Sequence, residues 1–280
     1  MGFLDAIDEV ARQAEKNIPM DNTYEQDGLL FCSKCKTARQ KRIELFGIKK
    51  IVPILCKCMN EDYVREEEER KREERMRQIM SYRNDGFPDR EMRHHTFDAD
   101  DGKNPELTDA MKAYVKNFHT FREDGKGLLL YGNVGTGKSF YAACIVNALI
   151  DRGYPCMMTN FSRLTNTISG MWEGKQAYID GLSRYALVAI DDLGVERDTD
   201  YMNECVTTII DSLYRANVPM IITSNHTPKQ LVGGEDIRRS RIYDRVLERC
   251  HPIKVDGESR RREKGRDDFR EVNRVLGIEK

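Results

Sequence analysis

Residues 127–139 read GLLLYGNVGTGKS, and this stretch decides the fold. An apolar run suited to a buried strand (127–131) leads into Gly132-Asn133-Val134-Gly135-Thr136-Gly137-Lys138-Ser139. FYAACIVNALIDRG (140–153) follows, with the pattern of a helix ending at a glycine. Strand, loop, helix is the context in which G-x-x-x-x-G-K-[ST] reads as a phosphate cradle. The glycines let backbone N–H groups approach phosphate oxygens, and the helix N-terminus adds its dipole. On this reading Gly132 to Phe140 bind ATP, Lys138 holds β- and γ-phosphate oxygens, and Ser139 coordinates Mg2+.

Further along, RYALVAIDDLG (184–194) gives a second buried strand that ends in two acids. At the C-terminal end of a core strand Asp191 can hold Mg2+, and Asp192 can orient and deprotonate the attacking water as a base. The bland alternative is that both acids merely cap the next helix. A third strand, VPMIITSN (218–225), ends at Asn225, a polar group placed to reach the γ-phosphate and that water. PCMMTN (155–160) and PIKVDG (252–257) complete five strands separated by helices, which predicts an α/β fold: a five-stranded parallel sheet with helices on both faces. In RRSRIYDRVLERC (238–250), Arg241, Arg245 and Arg249 recur at four-residue steps on one helix face. They form either a solvated stripe or a source of an arginine finger, given in trans to the ATP site of the next subunit. The second reading requires head-to-tail self-assembly.

Upstream, Cys32 and Cys35 form C-x2-C, and Cys56 and Cys58 form C-x-C. Four thiolates at this spacing suit a closed, structural tetrahedral Zn2+ site, with short strands of a ribbon between the pairs. Four ordinary reduced cysteines are the competing reading. Residues 3–14 carry apolar side chains at helical spacing, fitting either a small packed helix or a docking helix. From 61 to 75, EDYVREEEERKREER is almost entirely charged, and its acid-first pairs Glu66–Arg70, Glu67–Lys71 and Glu68–Arg72 predict an exposed linker helix running to about Tyr82. The expected division is 1–60 (N-terminal helix and zinc module), 61–94 (linker) and 95–280 (ATPase domain).

A formal charge of −1 over 280 residues gives no global basic field. The N-terminus lacks the apolar core of a signal peptide, and no 18-residue apolar segment exists to span a membrane. With eight cysteines, this points to a reducing cytoplasm and to metal rather than disulfides.

GNVGTGKS, VAIDDLG, ITSN, and RVLERC followed by GESRR, in this order and spacing, resemble the DnaC/DnaI group of replicative helicase loaders over residues 95–262. The cysteine module resembles the zinc-binding N-terminal domain of DnaI-type loaders. The resemblance implies an AAA+ fold without a separate helical lid, an ATPase, and a hexameric replicative DNA helicase as partner. It also implies single-stranded DNA contact and self-assembly through the ATP site. By position, Lys138 and Ser139 become the Walker A pair, Asp191 and Asp192 the Walker B pair, and Asn225 sensor 1. Arg249 becomes the trans finger, with Arg245 second. NFSRL (160–164) and Trp172, Lys175 and Tyr178 offer aromatic and basic groups for a strand, though core packing would explain the aromatics equally. Residues 236–274, with 13 basic and 9 acidic side chains, suit weak, ATP-gated contact. An IstB-type transposition helper shares the ATPase pattern but leaves the cysteine module without a counterpart. A stand-alone small-molecule kinase would need a substrate pocket and lid that the sequence does not offer.

Overall fold

The computed structural model describes residues 21–45, 47–194, 200–232 and 237–278, apart from a few side chains within the elements; the expected helix over 3–14 lies outside them. The chain divides after Met76 into two compact units.

The first unit holds two antiparallel hairpins. β1 (Thr23–Gln26) pairs with β2 (Leu29–Cys32), and β3 (Gln40–Leu45) with β4 (Ile48–Pro53). Tyr24 stacks on Phe31 with ring centroids 5.8 Å apart, a small apolar contact for a ribbon. α1 (Lys57–Gly86) then starts between the last two cysteines. Its surface pairs are not all those the sequence suggests: Glu67 meets Lys71 at 3.5 Å, but Arg70 bonds Glu67 (2.7 Å) and Glu74 (2.6 Å). The helix passes Tyr82 and stops at Gly86, where a Cβ would lie 2.2 Å from the Cys156 carbonyl oxygen. Phe87, the next residue, is fully buried.

The second unit is a five-stranded parallel sheet in the order β6-β7-β8-β5-β9, built from β5 (Gly127–Tyr131), β6 (Cys156–Asn160), β7 (Leu187–Leu193), β8 (Met220–Ser224) and β9 (Cys250–Lys254). Strand alternation sends side chains to two cores. Leu128, Leu130, Ala189 and Ile221 pack on one face with α2 (Pro105–Lys116) and α4 (Lys138–Asp151). Leu129, Val188, Ile190 and Ile222 face α5 (Phe161–Gly170), α7 (Asp200–Arg215) and α9 (Ile237–Arg249). Cover on both faces explains why these strands are nearly uninterrupted apolar runs. Each fully buried Leu or Ile contributes roughly 1.5–3 kcal/mol. α3 (Phe118–Glu123), α6 (Lys175–Gly181) and α8 (Pro228–Val232) are short connectors, and α10 (Arg260–Leu276) follows β9. The five-stranded parallel architecture agrees with the sequence reading. β5 lies between β8 and β9, with Tyr131 in register with Ser224 and Lys254, so the chain leaves β5 beside the end of the asparagine-bearing strand and one strand away from the acid-bearing β7.

Candidate functional site

The loop after β5 takes conformations only glycine adopts easily, with φ +151° at Gly132, +86° at Gly135 and +100° at Gly137. Space excludes side chains too. A Cβ at Gly132 would lie 2.3 Å from the Val255 carbonyl oxygen, and one at Gly135 would lie 2.2 Å from Ser259 Oγ. Thr136 is buried and its hydroxyl donates to the Asn133 carbonyl (3.0 Å), closing the turn, while Val134 stands 62% exposed at the tip.

Lys138 lies beneath this loop. Its Nζ donates to the carbonyls of Gly132 (2.9 Å) and Asn133 (2.7 Å) and to Asn225 Oδ1 (2.8 Å). Desolvation lowers its pKa, opposed by Asp192 and Asp191. Ser139 Oγ donates to Asp191 Oδ1 at 2.8 Å, bringing the two expected Mg2+ ligands together. Thr223, fully buried on β8, donates its hydroxyl to Asp191 Oδ1 (2.5 Å) and accepts the Asp192 backbone N–H (2.9 Å). Asp192 lines the cleft with φ +62°, a left-handed conformation uncommon outside glycine, at the point where the β7–β8 register shifts. Partial desolvation raises its carboxyl pKa, with Asp191 adding in the same direction. Three separate stretches of sequence thus meet at one cleft: Lys138, Ser139, Asp192 and Asn225 line it, and Asp191 is bonded to Ser139. The cleft's volume is about 590 Å3.

Phe140 lines the other end of that cleft with Met92, His95 and Ala99. The Phe140 and His95 rings are 5.4 Å apart, and Asn147 Nδ2 donates to the Met92 and His95 carbonyls (2.9 Å each), fastening this wall to α4. Sequence reasoning reached Phe140 but missed Met92, His95 and Ala99, and missed Arg260 and Arg261 on the cleft's flank. Arg260 bonds Asp101 (2.9 Å), and its backbone N–H donates to the Gly135 carbonyl (2.9 Å). The GESRR motif was the available signal, but its contacts are with residues more than a hundred positions away. The glycine cradle, the buried lysine and the oxygen pair suit ATP with Mg2+.

Arg249 stands elsewhere. It ends α9, with its guanidinium 4.6 Å from the Tyr214 ring centroid, and donates to the Asp124 carbonyl (2.9 Å) and Asn217 Oδ1 (2.8 Å). Asp124 and Asn217 precede β5 and β8, so Arg249 lies at the N-terminal ends of the strands whose C-terminal ends form the cleft. A five-residue strand spans about 17 Å, which separates Arg249 from its own protomer's phosphate loop. Arg245 is paired with Asp211 on α7. The Arg241 side chain lies outside the described residues.

In the first unit the sulfurs of Cys32, Cys35, Cys56 and Cys58 lie within 4.8 Å of one another. Cys32 ends β2, Cys56 precedes α1 and Cys58 lies in its first turn, so helix geometry brings the C-x-C pair round. Thr37 Oγ1 accepts the Lys57 N–H and lies 3.0 Å from Cys35 Sγ. That hydroxyl, first among several bonds, lowers the Cys35 pKa to about 5; hydrogen bonding with Cys56 raises that of Cys58 to about 12. The soft four-sulfur donor set fits Zn2+. All eight cysteines are free.

Of the expected strand-contacting aromatics, Trp172 is 96% exposed between α5 and α6. Tyr178 packs against the second core. Lys175 Nζ lies 5.9 Å from the Tyr201 ring. No described helix is long and apolar enough to cross a membrane.

Residues 58–267 match the IstB-like ATP binding protein family. The chain is 26% identical over 167 residues to the replicative helicase loader DnaI of Bacillus subtilis, covering 55% of this chain and 52% of that protein. It is 27% identical over 143 residues to the replicative helicase loader DnaC of Escherichia coli K12 (48% and 54%). It is 25% identical over 171 residues to a protein named for ATP binding in an insertion sequence of Mycobacterium tuberculosis (59% and 66%). The matches to the two loaders span about half of those proteins' length. Among solved structures, DnaI superimposes with a TM-score of 0.52 at 23% identity, covering 62% of this chain and 94% of that one. The DnaC helicase loader gives 0.52 at 20%, covering 60% and 99%. The fold is the AAA+ fold of these proteins. With three quarters of its length inside the family match and a complete phosphate loop in the cleft, the chain belongs to the IstB-like ATP binding protein family.

Proposed function

We propose that this protein is an ATP-dependent loader of a hexameric replicative helicase onto single-stranded DNA, acting in the cytoplasm during initiation of replication. Hydrolysis of ATP to ADP and phosphate would time assembly and release. The observation that carries the reading is the joining, in one chain, of a four-sulfur cluster able to hold a metal to an ATP site whose relatives include the loaders DnaI and DnaC. The N-terminal module grips the helicase, and the ATPase domain assembles and touches the strand. Trp172, projecting from the loop between α5 and α6, supplies a stacking surface for a base.

At the ATP site, Lys138 exchanges its present acceptors for phosphate oxygens, and Ser139 and Asp191 hold Mg2+. That metal would supply charge neutralisation at the phosphates. Asp192 takes the proton of the attacking water. Asn225, released by Lys138, orients that water. Arg249 completes the site of a neighbouring protomer, since it lies at the wrong end of the sheet to serve its own. Cys32, Cys35, Cys56 and Cys58 hold structural Zn2+. The insertion-sequence relative supports a second reading, an ATPase helper of DNA transposition, in which the sulfur module has no assigned task.

Light scattering after size exclusion tests the choice. The full chain is mixed with the replicative helicase of its source, with and without ATP. A stable complex that the Cys32→Ser, Cys35→Ser double variant cannot form is expected. No complex with helicase, together with ATP-dependent assembly on duplex DNA, would replace the loader reading with the transposition reading.

A further inference from the structure

Helix α10 begins at the phosphate loop and leads away from it. Ser259 caps the helix by accepting the Arg262 N–H, and the neighbouring Arg260 N–H donates to the Gly135 carbonyl. Beyond that anchor, Arg262, Arg266, Arg270 and Arg274 recur every fourth residue, all exposed, about 6 Å apart along the axis. Phe269, adjacent to this row, is 72% exposed, and Val272 and Leu276 continue its edge at 49% and 64%. Between the helix and the loop tip lies a basin of about 970 Å3, whose walls include Arg261, Arg262, Arg266 and Phe269 against Asn133 and Val134. Glu258 is the one acid among its lining residues.

We propose that α10 is a second binding surface for single-stranded nucleic acid, separate from the Trp172 loop, with phosphates along the arginine row and a base on Phe269. The inference rests on the strand-contact part of the function proposed above. A backbone-tracking row of cations beside an aromatic face is the arrangement by which such strands are held without sequence readout. The basin has room for a nucleotide, and three arginines against a single acid in its lining favour a polyanion over an apolar helix. Glu263, Asp267, Asp268 and Glu271 in the same segment moderate its net charge, and the phosphates that the arginine row neutralises make binding salt-sensitive. A strand on α10 pulls on the same helix whose first turn is bonded to Gly135, so occupancy is felt directly at the phosphate loop.

The test uses the full chain, a fluorescein-labelled oligothymidylate and a non-hydrolysable ATP analogue, with anisotropy read across a salt series. Phe269→Ala should weaken strand binding by roughly 5- to 150-fold. Arg262→Gln with Arg266→Gln should lower the slope of log affinity against log salt by about 1.4. Both variants should bind the ATP analogue as the parent does. Parent-like strand affinity and slope in both variants, with Trp172→Ala defective, would overturn the α10 surface while leaving strand contact in place. No strand binding by the parent would remove both. Loss of helicase binding with unchanged strand binding would reassign α10 to a protein partner, also against the proposal.

Discussion

Replacing Thr223 by Val isolates the link between the two acids. The substitution keeps the shape of a fully buried side chain but deletes the hydroxyl that donates to Asp191 at 2.5 Å and accepts the Asp192 N–H at 2.9 Å. Loss of a bond to a charged group costs about 1.5–3 kcal/mol, and stranding a partly buried amide about 1–3. Because the bonds share one hydroxyl, the two costs overlap, and about 3 kcal/mol is expected. At about 2–4 °C per kcal/mol for a unit of this size, Tm should fall by roughly 6–12 °C. Misplaced acids should also slow hydrolysis by about 10- to 100-fold, on the scale of about 1.4 kcal/mol per tenfold. Phosphate release at saturating Mg-ATP, well below the variant's Tm, separates these effects. Thr223→Ser, which restores the hydroxyl, should recover the rate while remaining somewhat less stable through its missing methyl. A Val variant that hydrolyses ATP at the parent rate would refute the reasoning; so would a Ser variant as slow as Val.

Asp192→Asn should abolish hydrolysis by at least about 100-fold as the base is lost. Because desolvation raises the folded-state pKa of Asp192, its ionisation opposes folding at neutral pH. The variant should therefore melt higher at pH 7, an advantage that fades as pH falls through the raised folded-state pKa and is gone below the ordinary carboxylate pKa of about 4; a melting difference independent of pH counts against the assignment. Cys32→Ser with Cys35→Ser should release the zinc measured by plasma mass spectrometry and leave ATP binding intact, whereas loss of ATP binding would contradict two separate units. Arg249→Ala should bind ATP normally but lose assembly-dependent hydrolysis by on the order of 10^3-fold. Its own fold should weaken by about 1–2 kcal/mol through the lost Tyr214, Asp124 and Asn217 contacts; an unchanged rate in assembled protein excludes the finger.

What the sequence made legible was chemistry that is local or tied to strand ends. The phosphate loop, the Asp pair and Asn225 each sit at the end of an apolar run, and a parallel sheet carries all such ends to one side. The sulfur cluster was legible for the same reason, since a tight turn and a helix start fix the spacing of each pair. The rest depended on tertiary approach. Arg260 reaches Asp101 across 159 positions, and the Met92–His95 wall is held by Asn147 from another element, so no periodicity announces either. The end of α1 was missed because a backbone approach to Cys156, visible only once packed, makes Gly86 the stop. Trp172 and Tyr178 look alike in sequence, yet one is exposed and one packed.

The position of Arg249 carries an arithmetic consequence. If Arg249 serves a neighbour as proposed, each protomer owns half of two sites, a cleft at one end of its sheet and an arginine at the other, and never a whole one. On the proposed head-to-tail contact, an open row of n protomers completes n − 1 sites, and only closure into a ring completes the last. Specific activity per chain therefore climbs as (n − 1)/n with the length of an open row. In such a row the terminal cleft would hold ATP without the means to spend it quickly, which would distinguish the cleft end of the row from the arginine end.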